Sequence, residues 1–226
     1  MAISLDDIQS RIQSVVDQDY VTGNISNSDY QLRLKYINRA LQEWGEMYDW
    51  QVLYKEYYAL VSTSTGNASI ALPSDFRKLA SPPLITYDGA TTRPFPEVRP
   101  QENAQYSGTD KRVNILGNPF SSYTMYVAGT SLVSGASVTV PYYSSVGSLA
   151  TTTDIARIPN PEYLVQRTIA YIWESREDAR FPQAKAEAQQ ILANMIEYEN
   201  VFGEASTFDR IKTYEETRFG FRIGRD

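Results

Sequence analysis

Residues 161–202 read PEYLVQRTIAYIWESREDARFPQAKAEAQQILANMIEYENVF, and this stretch decides the fold. Leu164, Ile169, Ile172 and Trp173 recur at helical spacing. Beyond Pro182 the pattern resumes through Ala184, Ala188, Ile191, Leu192, Met195 and Phe202. Good helix formers (Ala, Gln, Glu, Leu) fill the positions between. Pro182 either kinks one long helix or opens a second one at its tolerated first-turn position. Either way the segment carries an apolar face that needs an opposing surface.

That surface is expected from the N-terminal part of the chain. Ser4 can cap a first helix, with Asp6 and Asp7 in its opening turn and Leu5, Ile8, Ile12, Val15 and Val16 on its apolar face. This helix should end near Asp19, and TGNISNSD has loop composition. A second helix starts at Ser28 or Asp29. Leu32, Leu34, Ile37, Leu41 and Trp44 form its stripe, and Tyr36, Tyr48 and Trp50 add aromatic bulk.

From Glu56 the period changes. KEYYALVSTSTGNASIALP reads as a strand, a turn at Gly66-Asn67 and a short returning strand. PSDFRKLASPP reads as a turn or short helical step, and LITYDGATTRPF as a hairpin turning at Asp88-Gly89. PEVRPQENAQYSG is a short helix or irregular link. RVNILG, SYTMYVAG and ASVTVPYYS have the β-branched and aromatic bias of further strands. The expected fold is α+β. Residues 1–54 and 159–203 form a helical core in which the helices cover one another as a bundle. Residues 55–158 form a β-rich insertion, and 204–226 an extended C-terminal segment.

Composition removes several kinds of chemistry. The chain of 226 residues has neither cysteine nor histidine, so thiolate and imidazole catalysis, disulfides and the commonest zinc sites are excluded. The N-terminus lacks the pattern of a signal peptide, and no apolar run approaches the ~20 residues that span a bilayer. A formal net charge of −6 argues against general nucleic-acid binding, although DNA can pass such a surface without adhering. The 17 tyrosines suit either a partner-binding surface or half-exposed sheets.

Candidate catalytic groups are weak. Glu174 and Asp178 stand four apart with Glu177 between them, but Arg176 and Arg180 are interspersed, as on a solvated helix surface. Asp6, Asp7, Asp17 and Asp19 read as capping and surface charges. Gly117 and Gly129 sit among turn signals, with no phosphate-binding sequence after them. Tyr142 and Tyr143 are adjacent in a strand and so face opposite ways. Tyr171, Trp173 and Tyr198 read as core or interface aromatics. No catalytic residue, metal or cofactor is assigned.

Four segments resemble the head-to-tail adaptor (connector or head-completion) proteins of tailed bacteriophages, closest to those of short-tailed phages. They are LRLKYINRALQEWGEMYDWQVL with Ile37-Asn38-Arg39-Ala40 and Trp50, ALPSDFRKL with Leu72-Pro73 and Asp75-Phe76, VPYYSSVGSL around Pro141 and Tyr142, and YLVQRTIAYIWESREDARFPQAKAEAQQILANMIEYEN. Together they span most of residues 5–202. The resemblance implies a structural, non-enzymatic protein that forms a ring, commonly of twelve subunits, below the portal protein. Such a ring extends the DNA channel and carries the phage tail. It places the protein at the neck of the virion, after assembly in the host cytoplasm, with the portal and tail or tail-hub proteins as partners and no membrane.

The C-terminal stretch EASTFDRIKTYEETRFGFRIGRD mixes isolated aromatics with basic residues. RFGFRIGR has the alternation of an extended segment that docks on another surface, by adding a strand for instance, or of a tail that folds back on its own domain. The resemblance makes that surface the portal, with Arg210, Tyr214, Arg218, Phe219, Phe221, Arg222, Ile223 and Arg225 as the docking residues. The other readings are a tail-tube or tail-hub component, and a carbohydrate-active enzyme or carbohydrate-binding module built on the β-rich middle. A DNA-binding regulator is a poorer fit, since no basic recognition helix stands out.

Overall fold

The computed structural model describes residues 3–16, 28–61, 68–86, 91–105, 110–118, 122–128 and 135–219. In chain order the first elements are β1 (Ile3–Ser4), α1 (Leu5–Val16), α2 (Ser28–Met47), β2 (Tyr54–Leu60), β3 (Ala68–Ala71), β4 (Phe76–Leu79) and β5 (Leu84–Thr86). There follow β6 (Thr92–Pro94), β7 (Arg112–Gly117), β8 (Tyr123–Ala128), β9 (Ser137–Ser144), β10 (Ile155–Ala156), α3 (Glu162–Ser175) and α4 (Phe181–Phe219). Single 3₁₀ segments occupy Gln51–Leu53 and Pro100–Gln105. The class is α+β. The expected turns at Gly66-Asn67 and Asp88-Gly89 lie outside the described residues.

The chain divides into two compact units, one of residues 1–52 with 148–226 and one of residues 53–147. The first is organised on α3, which contacts α1, α2 and α4. Its buried face includes Leu164, Val165, Ile169 and Ile172. The neighbouring helices contribute Leu5, Ile8 and Ile12, then Ile37, Leu41 and Trp44, then Ala184, Ala188, Leu192 and Met195. Each fully buried Ile or Leu removes enough apolar surface to contribute roughly 1.5–3 kcal/mol.

Local chemistry sets the helix ends. Ser4 Oγ accepts from the Asp7 amide at 3.2 Å, so the cap expected there is present. The Leu5 and Asp6 amides donate to the carbonyls of Asp154 (2.8 Å) and Thr152 (3.2 Å), satisfying two further orphan donors of α1. Ser28 opens α2, but Leu32 is exposed, not part of the stripe; Tyr30, Arg33, Ile37, Ala40, Leu41 and Trp44 form the buried face. Arg33 is tolerated there because its Nε donates to Gln9 Oε1 at 2.8 Å.

Pro182 starts a second helix rather than kinking one. Helix α3 closes with Asp178 N–H donating to Trp173 O (2.9 Å), and Glu177 has a positive φ of 54°, the geometry of a left-handed helix cap. Proline then falls in the first turn of α4, where its missing N–H costs nothing. Helix α4 runs on to Phe219, so the backbone over 204–219 is helical where the sequence reading has an extended segment. No proline interrupts the chain beyond Pro182.

The helical unit also takes residues 148–158, which the sequence reading leaves in the β-rich middle. Two short contacts explain why. Strand β10 pairs antiparallel with β1, Ile3 opposite Ala156. The Asn38 amide clamps Leu149, accepting from its N–H at 2.8 Å and donating to its carbonyl at 2.9 Å.

The second unit holds a five-stranded sheet in which β9 is central, pairing β2 along one side and β4 and β5 along the other, with β6 beyond β5. A three-stranded sheet has the order β3-β8-β7. Strand β3 therefore does not return against β2; it joins the other sheet. The PSDFRKL step, read as a turn or helical step, ends in strand β4, Phe76 pairing with Ser144. The hairpin of β5 and β6 is present. Inward residues of both sheets, among them Ile70, Met125, Val127, Ile85, Val138, Val140 and Tyr142, make one core.

Candidate interaction surfaces

Among the described residues no group of three or more carboxylates stands where it could hold a metal, and no helix is long and apolar enough to cross a membrane. The carboxylates singled out at the end of α3 do not form a pair. Helix α3 stops at Ser175, so Glu174 ends a helix while Asp178 sits in the following turn. Arg180 donates to Asp178 through Nε (3.0 Å) and Nη2 (2.7 Å). Those bonds and the Arg180 amide hold the Asp178 carboxyl down at about 2. It is a permanent anion that caps a turn, with no proton to exchange near neutral pH.

The aromatic residues separate by location. The guanidinium groups of Arg39 and Arg167 stand 4.2 Å and 4.5 Å from the ring centre of Tyr171, which also stacks on Tyr36. Its hydroxyl donates to Glu43, which also accepts both arms of Arg167. Burial raises the Tyr171 hydroxyl above its ordinary pKa, and the bond to Glu43 raises it further. This network ties α2 to α3. Trp173 is buried, while Tyr198 is exposed. Sequence spacing alone does not distinguish them.

In the second unit the strand alternation divides Tyr142 from Tyr143. Tyr142 points into the core against Phe76, and its hydroxyl donates to Asp75 at 3.0 Å. Burial first, then Asp75, pushes that hydroxyl up to about 12. Asp75 also binds Lys55 Nζ at 2.6 Å. The Asp75-Phe76 step thereby anchors β2 and β9 at the start of β4. Tyr143 faces outward beside Tyr54, with Lys78 5.9 Å from its ring centre.

Strand β2 continues this outward face. It stands at the end of its sheet and among the described strands pairs only with β9. Glu56 accepts hydroxyl bonds from Tyr54 (2.9 Å) and from Tyr58. Tyr58 and Leu60 are 68% and 74% exposed, and Leu84 lies across Thr139 from Tyr58. A tyrosine-rich sheet face of this kind, with Glu56 held by two tyrosine hydroxyls, has the composition of a protein contact surface.

In the first unit two hydrogen bonds join the middle of α4 to the stretch that follows α2. Tyr48 donates to Asn200, and the Gln51 amide donates to Glu199 Oε2 at 3.4 Å. Met47, Val52, Tyr198 and Val201, each adjacent in sequence to one of these four residues, are 47–63% exposed. The sequence reading did not single out Met47, Val52 or Val201, which are unremarkable in one dimension.

Of the docking residues expected in the C-terminal segment, Arg210, Tyr214, Arg218 and Phe219 fall on the end of α4. Phe221, Arg222, Ile223 and Arg225 lie outside the described residues. Comparison with curated proteins finds no match. The family model of the SU10 adaptor protein matches residues 3–211, nearly the whole chain, which therefore belongs to the SU10 adaptor protein family, a family of phage adaptors.

Proposed function

We propose that this chain is the head-to-tail adaptor of a short-tailed phage. It forms a ring, of twelve subunits by the family resemblance, below the portal, extends the DNA channel and joins the capsid vertex to the phage tail. The observation that carries the reading is the family match over residues 3–211, which takes in both compact units. Structural features agree with it. The helical unit is tied across α2 and α3 by the Glu43–Arg167–Tyr171 network, which suits a rigid subunit of an assembly. The exposed Tyr58–Leu60 face of the β unit offers a contact surface for a neighbouring tail or tail-hub component. A head-to-tail contact between unlike faces, repeated with closing rotation, gives a ring.

The adaptor performs no covalent chemistry; it couples, seals and conducts. Its net charge of −6, repeated around a ring, builds a negative potential. Wherever that potential faces the lumen it lets DNA pass without sequence-specific binding. The C-terminal segment, from Arg210 through Arg225, docks on the portal. The protein is thus a virion component of the neck, assembled in the host cytoplasm. Coexpression with the cognate portal followed by negative-stain microscopy tests this. Ring-on-ring particles are expected, and removing 210–226 should weaken their association. Undiminished portal binding by the truncated chain would remove the docking role, and absence of any joint particle would remove the adaptor assignment.

A further inference from the structure

Strand β2 forms one edge of its sheet, and the hydrogen bonds of its neighbour fix the direction of its backbone groups. The Pro141 carbonyl accepts from the Ala80 amide at 3.0 Å, so the Pro141 backbone is turned toward the β4 side of β9. Glu56, opposite Pro141, therefore makes no ladder bonds to β9, and neither do Tyr54, Tyr58 and Leu60, which alternate with it. Their N–H and C=O groups are directed to the outer edge. Val61, next along the chain, bonds back to Ala136 and Gly135, both at 2.9 Å, as this alternation requires. Among the described residues nothing takes the backbone groups of Tyr58 and Leu60.

The other edges are short, blunted or covered. At the far side of the same sheet the Phe95 amide donates to Pro83 O at 2.9 Å, which turns Pro94 outward, and proline offers no N–H there. Along β7, Val113 N–H donates to Pro96 O and Val98 N–H to Val113 O, both at 2.9 Å, so residues 96–98 occupy its edge. Strands β3 and β4 have four residues each, whereas β2 has seven. Strand β2 carries no comparable guard. It has no proline, its one lysine, Lys55, is held by Asp75, and Tyr58 and Leu60 stand exposed beside the edge.

We infer that β2 pairs antiparallel with β2 of a second copy of this chain, centred on Tyr57. The strand YKEYYAL is self-complementary in that register. Glu56 falls opposite Tyr58 of the second copy, Lys55 opposite Ala59 and Tyr54 opposite Leu60, so the whole strand is paired and no like charges meet. The edge-directed residues of each copy meet those of the other, as antiparallel pairing demands. Moving the centre to Glu56 would oppose two carboxylates, and moving it to Tyr58 would pair residues 56–60 alone. A slip by one residue would set edge-directed groups against groups turned to β9. Glu56 already accepts from the hydroxyls of Tyr54 and Tyr58 in its own chain, the chemistry that Tyr58 of the second copy also brings. A two-fold contact closes on two copies, so the pair is a form of the unassembled chain and not the repeating contact of a ring. Only its opening on ring formation rests on the adaptor reading.

Seven residues a side make a small contact of the weak, transient class, which a covalent trap reads best. The chain has no native cysteine to interfere. Full-length chains carrying Glu56→Cys and Tyr58→Cys are mixed at high concentration and oxidised. Opposed residues of a hydrogen-bonded pair have Cα atoms ~5.5 Å apart, within the disulfide range of about 4.4–6.8 Å. The control mixture pairs Tyr58→Cys with Leu116→Cys, an exposed position on the same unit. The 56–58 disulfide, identified by intact mass, should form at least about tenfold more than the control link, and more than Tyr58→Cys links to itself. In analytical ultracentrifugation of cysteine-free chains, Tyr58→Glu, which opposes two carboxylates, should weaken dimerisation about tenfold or more, and Tyr58→Lys should strengthen it. A 56–58 yield at the control level would leave the edge to a different protein and overturn the inference. So would Tyr58→Cys linking best to itself, or dimerisation indifferent to the sign of charge at position 58. Joint particles with the portal but no link sink the pairing and leave the adaptor reading standing; a link without joint particles does the opposite.

Discussion

Replacing Glu43 with alanine removes both acceptors of Arg167 at once, because the guanidinium donates through Nε at 2.9 Å and Nη2 at 2.8 Å to that one carboxylate. Tyr171 loses its acceptor as well. An open surface pair contributes about 0.2–1 kcal/mol, whereas stranding one member of a buried pair costs roughly 3–5 kcal/mol. The Arg167 side chain is 14% exposed and that of Glu43 31%. The Glu43→Ala cost therefore falls between those limits, at about 2–3 kcal/mol. Arg167→Met is milder, about 1–2 kcal/mol, because the remaining carboxylate turns to water and the methionine keeps the apolar stem packed.

All three tryptophans (Trp44, Trp50 and Trp173) belong to the helical unit, so urea unfolding followed by tryptophan fluorescence reads that unit alone. Acid adds a second readout. Burial pushes the Glu43 carboxyl up, but the bonds from Arg167 and Tyr171 and the positive charge of Arg167 and Arg39 outweigh it, leaving a net lowering. A depressed folded value means the contribution is complete above the unfolded value, about 4.3, and is lost as pH falls through the folded one. The gap between wild type and Glu43→Ala should thus narrow below about pH 4. A Glu43→Ala cost under about 1 kcal/mol at neutral pH, or Arg167→Met proving the more damaging change, would refute the view that this network locks α2 to α3.

Trp50→Phe removes the indole N–H that donates to the Trp44 carbonyl at 2.7 Å; it should cost about 1–2 kcal/mol in the same urea assay. Asn38→Ala releases both backbone groups of Leu149, and hydrogen exchange by mass spectrometry should show faster exchange confined to residues 148–156. Gly117→Ala places a methyl group 2.1 Å from the Ser122 carbonyl oxygen at a backbone φ of +134°. It should destabilise the β unit by roughly 1–3 kcal/mol or more, read by exchange across β7 and β8. Glu177→Gly relieves a left-handed residue in the α3–α4 turn and should raise the thermal midpoint, by about 1 kcal/mol in stability.

The helices were legible because their signals are local. Ser4 and Ser28 mark helix starts, and the stripes through Ile8 and Ile12, and through Ala184, Ala188 and Leu192, mark buried faces. Leu32 was misassigned because the buried face runs through Tyr30, Arg33, Ile37, Ala40, Leu41 and Trp44, and at 3.6 residues per turn Leu32 stands about 100° round the helix from Arg33. Strand positions were legible from β-branched and aromatic bias, but partner choice was not. The pairings of β2 with β9 and β3 with β8 span more than 50 residues each, and nothing local encodes them. The contacts of residues 148–158 were illegible for the same reason, since they are made with Asn38 and Ile3, far away in sequence. The Asn38 of the Ile37-Asn38-Arg39-Ala40 segment supplied the family resemblance without revealing its role as a clamp. The hydrogen bonds from Tyr48 to Asn200 and from Gln51 to Glu199 form only when the end of α2 and the middle of α4 meet, which no one-dimensional pattern records.

Native mass spectrometry of the full-length chain with its cognate portal weighs the central claim most directly. The adaptor account predicts one complex with as many copies of this chain as of portal subunits, twelve of each for a twelve-fold portal. Free portal beside free chain, or a complex holding one or two copies, would contradict it.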